Sequence, residues 1–305
     1  MSSNHRAGYI AVIGPPNAGK STFLNTVLGE KIAIVSPKPQ TTRTSITGIH
    51  STPTEQVVFL DTPGIHAARG KLNRFLVDAA WGAVREANGV ILFLDAARYA
   101  GNEQALARDM RPLSAKLATL GVPMTVALNK VDQVKPKERL LGLMAHCAEL
   151  WPGIELLPVS ARTGVGLDRL LAVIREFLPE GPPLYPDDQL STASVRFLAS
   201  EIIREKLFLA LEQELPYNVA VEIETWEEMP EQGMTAIGAT IYASKNSHKG
   251  MIVGRQGQNL KSVGQKARQE LKALLGTKVH LELWVKVREG WTEDGQFMVS
   301  LGLGS

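Results

Sequence analysis

Residues Gly14–Thr22 read GPPNAGKST and lie between an apolar run, Tyr9–Ile13, and a segment of helical periodicity that starts at Lys20. The pattern G-x-x-x-x-G-K-[ST] is typical of a loop whose backbone N–H groups surround nucleotide phosphates. The helix that follows adds the positive end of its dipole. A chance glycine-rich turn is the alternative, and the eight matched positions disfavour it. The predicted contacts are Gly14, Pro15, Pro16, Asn17, Ala18, Gly19, Lys20, Ser21 and Thr22.

Within and beyond this loop, four residues are candidates for the chemistry of the phosphates: Lys20, Thr42, Asp61 and Gly64. Lys20 is expected to reach the β and γ oxygens, and Ser21 to ligate Mg²⁺. An apolar run, Val57–Leu60, ends in the sequence Asp61-Thr62-Pro63-Gly64. Asp61 is expected to hold Mg²⁺ through water, and the Gly64 N–H to bond the γ-phosphate.

A polar stretch, Pro39-Gln40-Thr41-Thr42-Arg43, supplies the third candidate Mg²⁺ ligand. The hydroxyl of Thr42 is placed to reach the metal when a γ-phosphate is present. The spacing is loose, so Thr41 stays open as the alternative. The predicted metal set is Ser21, Thr42 and Asp61.

The base is predicted by Asn129-Lys130-Val131-Asp132, which ends another apolar run. The Asp132 carboxylate can accept from N1–H and the 2-amino group of guanine, a pairing that adenine does not offer. Asn129 is expected to tie this loop to the phosphate loop, and the stem of Lys130 to cover the base. The alternative for Asp132 is a helix cap. Ser160 and Ala161 end a further strand, where the Ala161 N–H is a weaker candidate for contact with guanine O6.

The composition fits a two-domain protein: 305 residues, 44% of them hydrophobic, with a net charge of +2. The single cysteine, Cys147, excludes a disulfide framework. No apolar run reaches the roughly 18 residues of a membrane span. We therefore expect a chain that is not secreted and does not span a membrane.

Strands and helices alternate through the first half, which predicts a helix-covered, mostly parallel α/β sheet with Ser45–His50 as an antiparallel edge. Four prolines in residues 179–186 then break the pattern. The expected domains are residues 1–178, a linker over 179–190, and a second domain over 191–305.

The second half predicts the order α-β-β-α-α-β, with Gly254-Arg255-Gln256-Gly257 between two helices. From Lys245 to Arg288 there are ten basic residues and two acidic ones. A helix C-cap and a solvated charged face are the ordinary explanations of these features. Together, however, they favour contact with a nucleic-acid backbone. The candidate RNA-binding residues are Lys249, Gly254, Arg255, Gln256, Gly257 and Lys261.

In their order, the nucleotide motifs resemble the G1 to G5 motifs of translation-factor-like GTPases, and the second half resembles a type II KH domain. The pair, joined by a proline linker, is similar to the Era family of bacterial ribosome-assembly GTPases over essentially the whole chain. The resemblance implies GTP and GDP binding with Mg²⁺, GTP hydrolysis, binding to 16S ribosomal RNA near its 3′ end, and action in 16S rRNA processing and 30S subunit biogenesis. It also implies a cytoplasmic protein with peripheral association with the cell membrane. We expect a monomer.

One departure concerns hydrolysis. Ras-like enzymes carry a glutamine after D-x-x-G that orients the attacking water, whereas this chain has Ile65, which neither donates nor accepts a hydrogen bond. Slow intrinsic hydrolysis is therefore expected. Asn17 resembles the asparagine of K⁺-dependent GTPases, and a role in bracing the loop is an equal alternative. His66 is left out of the site.

Two other functions stay open from the sequence: a nucleotide-gated scaffold without hydrolysis, and a small-molecule phosphotransferase, which would leave Asp132 without a role. The preferred mechanism has GTP ordering the segments Lys38–Thr44 and Ile65–Leu72, so that nucleotide state gates RNA binding.

Overall fold

The computed structural model describes residues 5–36, 38, 41–65, 70–117, 119 and 121–303. These residues divide into two compact units. The first unit holds the described residues of 1–33, 42–69 and 73–192, and the second holds those of 34–41, 70–72 and 193–305. Pro39, Gln40 and His66 of the sequence analysis lie outside the described residues, as do parts of the two predicted switch segments.

The first unit alternates strands and helices. Its elements are β1 Arg6–Ile13, α1 Lys20–Leu28, β2 Ile46–Ser51, β3 Glu55–Asp61, α2 Lys71–Glu86, β4 Gly89–Asp95, α3 Ala96–Tyr99, α4 Glu103–Leu117, β5 Met124–Asn129, α5 Glu138–Leu150, β6 Glu155–Pro158 and α6 Leu167–Arg175. Over the described residues, six strands form one sheet in the order β2-β3-β1-β4-β5-β6. Every neighbouring pair is parallel except β2 with β3. The predicted α/β sheet with one antiparallel edge is confirmed.

The burial of the strands explains why their sequences are apolar. Residues 90–94 of β4 are each 0% exposed because helices cover both faces of the sheet. Phe23 anchors α1 to the sheet, with its ring centre 5.3 Å from that of Phe59 and 5.0 Å from that of Phe93. The carboxyl ends of the parallel strands share one edge, where ligand-binding loops of such sheets occur.

The proline-rich segment after α6 runs along the first unit. Ala7 N donates to Pro179 O at 3.1 Å, and Ile49 N donates to Leu190 O at 2.9 Å. The Gln56 side chain is buried and binds the backbone of residues 184 and 185 at 2.7 to 2.9 Å. These contacts fix a segment that has few apolar side chains of its own.

The second unit contains a small sheet covered by helices. Its elements are α7 Val195–Ala210, β7 Val219–Met229, β8 Met234–Ala243, α8 Asn246–Val253, α9 Gln258–Leu275, β9 Lys278–Val287 and α10 Gly295–Ser300. In the described chain the sheet order is β7-β8-β9, antiparallel between β7 and β8 and parallel between β8 and β9. The predicted α-β-β-α-α-β order is confirmed.

The ends of the second unit differ from the sequence pattern. The first helix of this half begins at Val195, where the Ser194 side chain caps α7 by accepting from Phe197 N. It ends at Ala210, because Leu211 is in an extended conformation. After β9 the chain turns back, and Trp291 is completely buried with its Nε1 donating to Asn218 O at 3.2 Å. Among the described residues, no helix combines the length and the apolarity needed to cross a membrane.

Candidate nucleotide site and nucleic-acid face

The phosphate loop connects β1 to α1 and depends on two glycines. Gly14 has φ +145°, and a Cβ there would lie 2.3 Å from Phe93 O. Gly19 has φ +95°, and a Cβ there would lie 2.2 Å from Asn129 Nδ2. Gly19 also begins α1 without a side-chain cap. The first N–H groups of α1 are thus left for an anion, which is the usual arrangement of a phosphate site.

Lys20 lies inside this loop. Its Nζ donates to Gly14 O at 3.2 Å and to Pro15 O at 3.1 Å, and the residue is 6% exposed. Burial lowers the pKa of Lys20 to about 8, although the nearby charge of Asp61 opposes that shift. A buried ammonium whose partners are neutral carbonyls is well suited to exchange them for phosphate oxygens.

Three oxygen side chains meet beside Lys20. Ser21 Oγ donates to Asp61 Oδ2 at 2.7 Å and lies 2.8 Å from Thr42 Oγ1. Asp61 is fully buried, and its Oδ1 has no hydrogen-bond partner in the described chain. Burial raises the pKa of Asp61 to about 6, against the opposing charge of Lys20. Hydroxyl and carboxylate oxygens are what Mg²⁺ prefers, so this set fits that cation.

The two threonines of the polar stretch have different partners. Thr42 is 7% exposed and faces Ser21, whereas the Thr41 hydroxyl donates to Lys38 O at 2.8 Å. The structure therefore brings Thr42, and not Thr41, to the candidate metal ligands.

The loop after β3 approaches the phosphate loop closely. A Cβ on Gly64 would lie 2.7 Å from Pro16 Cα, so only glycine fits there. Thr62 Oγ1 donates to Val12 O at 2.9 Å, and Ile65 N donates to Gly14 O at 3.0 Å. The Ile65 side chain is 2% exposed and belongs to the hydrophobic core. This side chain therefore packs in the core and does not line the candidate nucleotide site.

Asn129 links three loops. Its Nδ2 donates to Ala18 O at 2.7 Å, and its Oδ1 accepts from Ala161 N at 2.8 Å. The residue is 1% exposed. The Ala161 N–H is thus engaged by Asn129 here, and its contact with guanine O6 stays a prediction.

Asp132 is held by two neighbours. Its Oδ1 accepts from Ser160 Oγ at 2.7 Å, and its Oδ2 pairs with Arg162. Burial raises the pKa of the Asp132 carboxyl, but the Ser160 hydrogen bond and the Arg162 charge outweigh it, so the net shift is downward. The carboxylate is kept ionised, as acceptance from guanine requires. Arg162 follows the predicted Ser160-Ala161 pair directly, and its position could have suggested this role.

Asp95 is a second residue that the sequence analysis missed. Lys130 Nζ donates to Asp95 Oδ2 at 2.6 Å, which holds the lysine side chain next to the end of β4. Asp95 ends the buried strand β4 just as Asp61 ends β3. An apolar strand that ends in an aspartate was therefore the sequence pattern that could have indicated Asp95.

Asn17 is the exposed member of the phosphate loop. It has φ +63° and lies between the buried residues Pro15 and Ala18. Its position leaves the predicted alternatives, cation binding and bracing of the loop, both open.

The candidate nucleic-acid face lies where α8 meets α9. Gly254 and Gly257 have φ +73° and +78°, and the exposed residues Arg255 and Gln256 lie between them. A Cβ on Gly254 would lie 2.7 Å from Asn259 Cγ. Lys249 is exposed on α8.

A groove of 450 Å³ runs beside this turn. Its lining combines α9 and β9: Gly257, Leu260, Lys261, Gly264, Gln265, Arg268, Leu281 and Leu283. Gly257 and Lys261 were predicted, whereas Arg268 was missed. Lys261, Gly264, Gln265 and Arg268 share one helix face by their spacing, so the pattern could have indicated Arg268. Leucines and basic groups together suit unpaired bases and their phosphates.

Two family descriptions match the chain: a 50S ribosome-binding GTPase over residues 9–130, and a KH domain over residues 214–292. The GTPase Era of Nitratidesulfovibrio vulgaris (strain Miyazaki F) is 51% identical over 301 residues, which cover 99% of this chain and 98% of that protein.

Two solved structures are similar over nearly the full length. An Era variant from Aquifex aeolicus bound to GDP·AlF4⁻ has a TM-score of 0.89 and 36% identity, covering 98% of this chain and all of that chain. Era in complex with MgGDPNP and nucleotides 1506–1542 of 16S ribosomal RNA has a TM-score of 0.90 and 35% identity, covering 99% of this chain and all of that chain. The phosphate loop, the Asn129–Asp132 loop and the KH domain agree with these similarities. This chain belongs to the Era family of GTPases.

Proposed function

We propose that GTP binds in the first unit between four loops. These are residues 14–22, 61–64, 129–132 and 160–161. The link from Asn129 to Ala18 and Ala161 supports this assignment, because it joins three of the four loops through one buried side chain. Asp132 selects guanine, and Lys130 covers the base.

Ser21, Thr42 and Asp61 would hold Mg²⁺. Bound there, Mg²⁺ supplies positive charge that offsets the charge developing on the β- and γ-phosphates. Lys20 binds the same oxygens, and the Gly64 N–H and the first N–H groups of α1 complete a ring of donors. These groups act by electrostatic stabilisation and require no proton transfer from the protein.

Hydrolysis is slow in the free protein. Ile65 lies in the core, and no hydrogen bond from its side chain can align the water. A K⁺ ion at Asn17 is the proposed substitute for a positive group at the transition state. Phosphate release under multiple turnover tests both the slow hydrolysis by the free protein and the role of K⁺. A fast rate in Na⁺ alone would overturn both claims.

The second unit binds 16S ribosomal RNA near its 3′ end, and the protein acts in 16S rRNA processing and 30S subunit biogenesis. The observation that supports RNA binding is the basic groove beside Gly254–Gly257. The chain also aligns over 99% of its length with the Era structure that contains nucleotides of 16S ribosomal RNA. The protein is proposed to be a cytoplasmic monomer with peripheral membrane association.

A matched pair of glycine variants tests the RNA site. Gly257 and Gly276 lie at the two ends of α9, with φ +78° and +64°, and a Cβ on either meets no atom within 4 Å. Asp at either position brings similar backbone strain, about 1 kcal/mol. Only Asp at Gly257 also places a carboxylate beside the groove.

The assay is fluorescence titration of an RNA matching the 16S 3′ end, at several salt concentrations, against a scrambled RNA. Gly257→Asp should abolish specific binding while GTP binding persists, and Gly276→Asp should bind RNA as the unsubstituted chain does. Equal loss in both variants, or specific binding that survives in Gly257→Asp, would overturn the assignment. The salt dependence reports the number of phosphate contacts.

A further inference from the structure

The sheet of the second unit has two different faces, because successive side chains of a strand point in opposite directions. Leu281 and Leu283 of β9 pack towards the core with α9 and line the basic groove. The residues between and after them, Glu282 and Trp284, lie on the opposite side of the same strand and are exposed. We call that side the open face, and its centre is formed by Glu222 of β7, Gly238 and Thr240 of β8, and Glu282, Trp284 and Lys286 of β9.

Trp284 is the large aromatic residue at the centre of the open face. Its indole lies directly over Gly238, where a Cβ would be 2.9 Å from Trp284 Cζ3. The residue is nevertheless 43% exposed, so the contact with the sheet leaves much of the ring accessible. An indole supported on a sheet and open to solvent is a rigid surface on which a flat group can stack.

Carboxylates lie on two sides of this indole. Glu282 is two residues from Trp284 on the same face, about 7 Å along the strand, and its side chain is 56% exposed. Glu222 is opposite Thr240, which is itself opposite Trp284, so the three residues form one row across the sheet. The Glu222 carboxylate accepts from Tyr242 Oη at 2.8 Å, which fixes its position.

The lysines of the open face do not cancel these charges. Lys286 pairs with Glu224 at 2.7 Å. Lys278 is the first residue of β9 and lies about 20 Å from Trp284 along the strand. The groove on the helix-covered side has the opposite character, since it contains Lys261 and Arg268. One strand therefore separates a basic surface from a surface whose exposed tryptophan has carboxylates around it.

We propose that the open face is a docking surface for a basic segment of another protein, in which an arginine stacks on Trp284 and pairs with Glu282. A guanidinium is planar, stacks on aromatic rings and binds a carboxylate through two parallel hydrogen bonds. A single arginine can therefore meet both groups. RNA is the less suitable occupant, because the carboxylates of this face repel its phosphates.

The test measures binding of the full chain, without RNA, to a fluorescently labelled peptide of Arg-Gly-Ser repeats at low ionic strength. Fluorescence anisotropy gives the dissociation constant. A second peptide carries citrulline at each arginine position, which keeps the shape of the side chain and removes its charge. The citrulline peptide should bind about 10-fold more weakly.

Two matched double substitutions locate the site. Glu282→Gln with Trp284→Leu removes a carboxylate and an indole from the open face. Glu228→Gln with Trp226→Leu removes the same two groups from β7, where Trp226 packs against the core and its Nε1 donates to Glu228 Oε1 at 3.1 Å. The first double variant should bind the arginine peptide about 10-fold more weakly than the unsubstituted chain, and the second should bind it equally well.

Three results with the peptides would overturn the proposal. The first is an arginine peptide that does not bind the unsubstituted chain. The second is equal binding of the arginine and citrulline peptides. The third is an equal loss of affinity in the two double variants, which would reflect general charge attraction and not a site at Trp284.

Two further measurements exclude other occupants of the open face. The Glu282→Gln, Trp284→Leu variant should bind the 16S 3′-end RNA as tightly as the unsubstituted chain does. A matching loss of RNA affinity would assign Trp284 to RNA and overturn the proposal. Sedimentation should give the same mass for both proteins, and a dimer that is lost in the variant would assign the face to a second copy of the chain and likewise overturn it.

Discussion

Replacing Asn129 by alanine removes the side chain that joins three loops of the nucleotide site. Two buried backbone groups, Ala18 C=O and Ala161 N–H, lose partners at 2.7 and 2.8 Å. At 1% exposure of Asn129, water does not readily replace them. An orphaned buried group costs about 1–3 kcal/mol, so the free energy of unfolding should fall by about 2–6 kcal/mol. Affinity for GDP should fall at least about 10-fold, because the loops lose their common brace.

The assay pairs urea unfolding of the nucleotide-free protein with titration of a fluorescent GDP. Asn88→Ala is the control, since Asn88 Oδ1 accepts from Tyr9 N at 2.8 Å in the same unit but outside the four loops. The control should lose about 1–3 kcal/mol of stability and keep its GDP affinity. The reasoning fails if Asn129→Ala keeps both its stability and its affinity, or if both variants lose GDP binding alike.

Three further outcomes follow from single residues. Asp132→Asn replaces an acceptor by an amide donor, so affinity for GTP should fall about 100-fold or more while binding of xanthosine triphosphate improves; unchanged selectivity in competition binding would contradict this. Cys147 is fully buried and burial raises its thiol pKa to about 11, so a thiol reagent at pH 8 should label the protein only as it unfolds, and rapid stoichiometric labelling of the native chain would refute that. Replacing Na⁺ by K⁺ should speed phosphate release, and Asn17→Ala should remove the difference; equal rates in both salts would eliminate the cation role.

The sequence was sufficient for the fold because its signals are local. Strand β4 is a continuous apolar run, and the segment of helical periodicity that starts at Lys20 is helix α1, Lys20–Leu28. Glycines at positions of positive φ marked the phosphate loop and the G-x-x-G turn, since few other residues take those conformations.

Other features depend on contacts between distant parts of the chain, and no local pattern encodes them. The pairing of Lys130 with Asp95 joins the ends of two strands, and that of Lys206 with Glu270 joins two helices. The grouping of residues 34–41 with the second unit has no periodic signature. Trp291 is buried by tertiary packing of the segment that follows the last strand. Helix α10 in that segment has six residues, which are too few to give a clear periodic pattern in the sequence.

Reciprocal binding of nucleotide and RNA tests the central claim, that nucleotide state gates the KH groove. The measurement is the affinity of the full chain for the 16S 3′-end RNA when loaded with GDP or with a GTP analogue, together with the affinities for the analogue and for GDP with and without saturating RNA. Linkage requires that RNA raise the affinity for the analogue, relative to GDP, by the same factor by which the analogue, relative to GDP, raises the affinity for RNA. We predict a factor of at least about 5. Equal RNA affinity in the two nucleotide states would contradict the account.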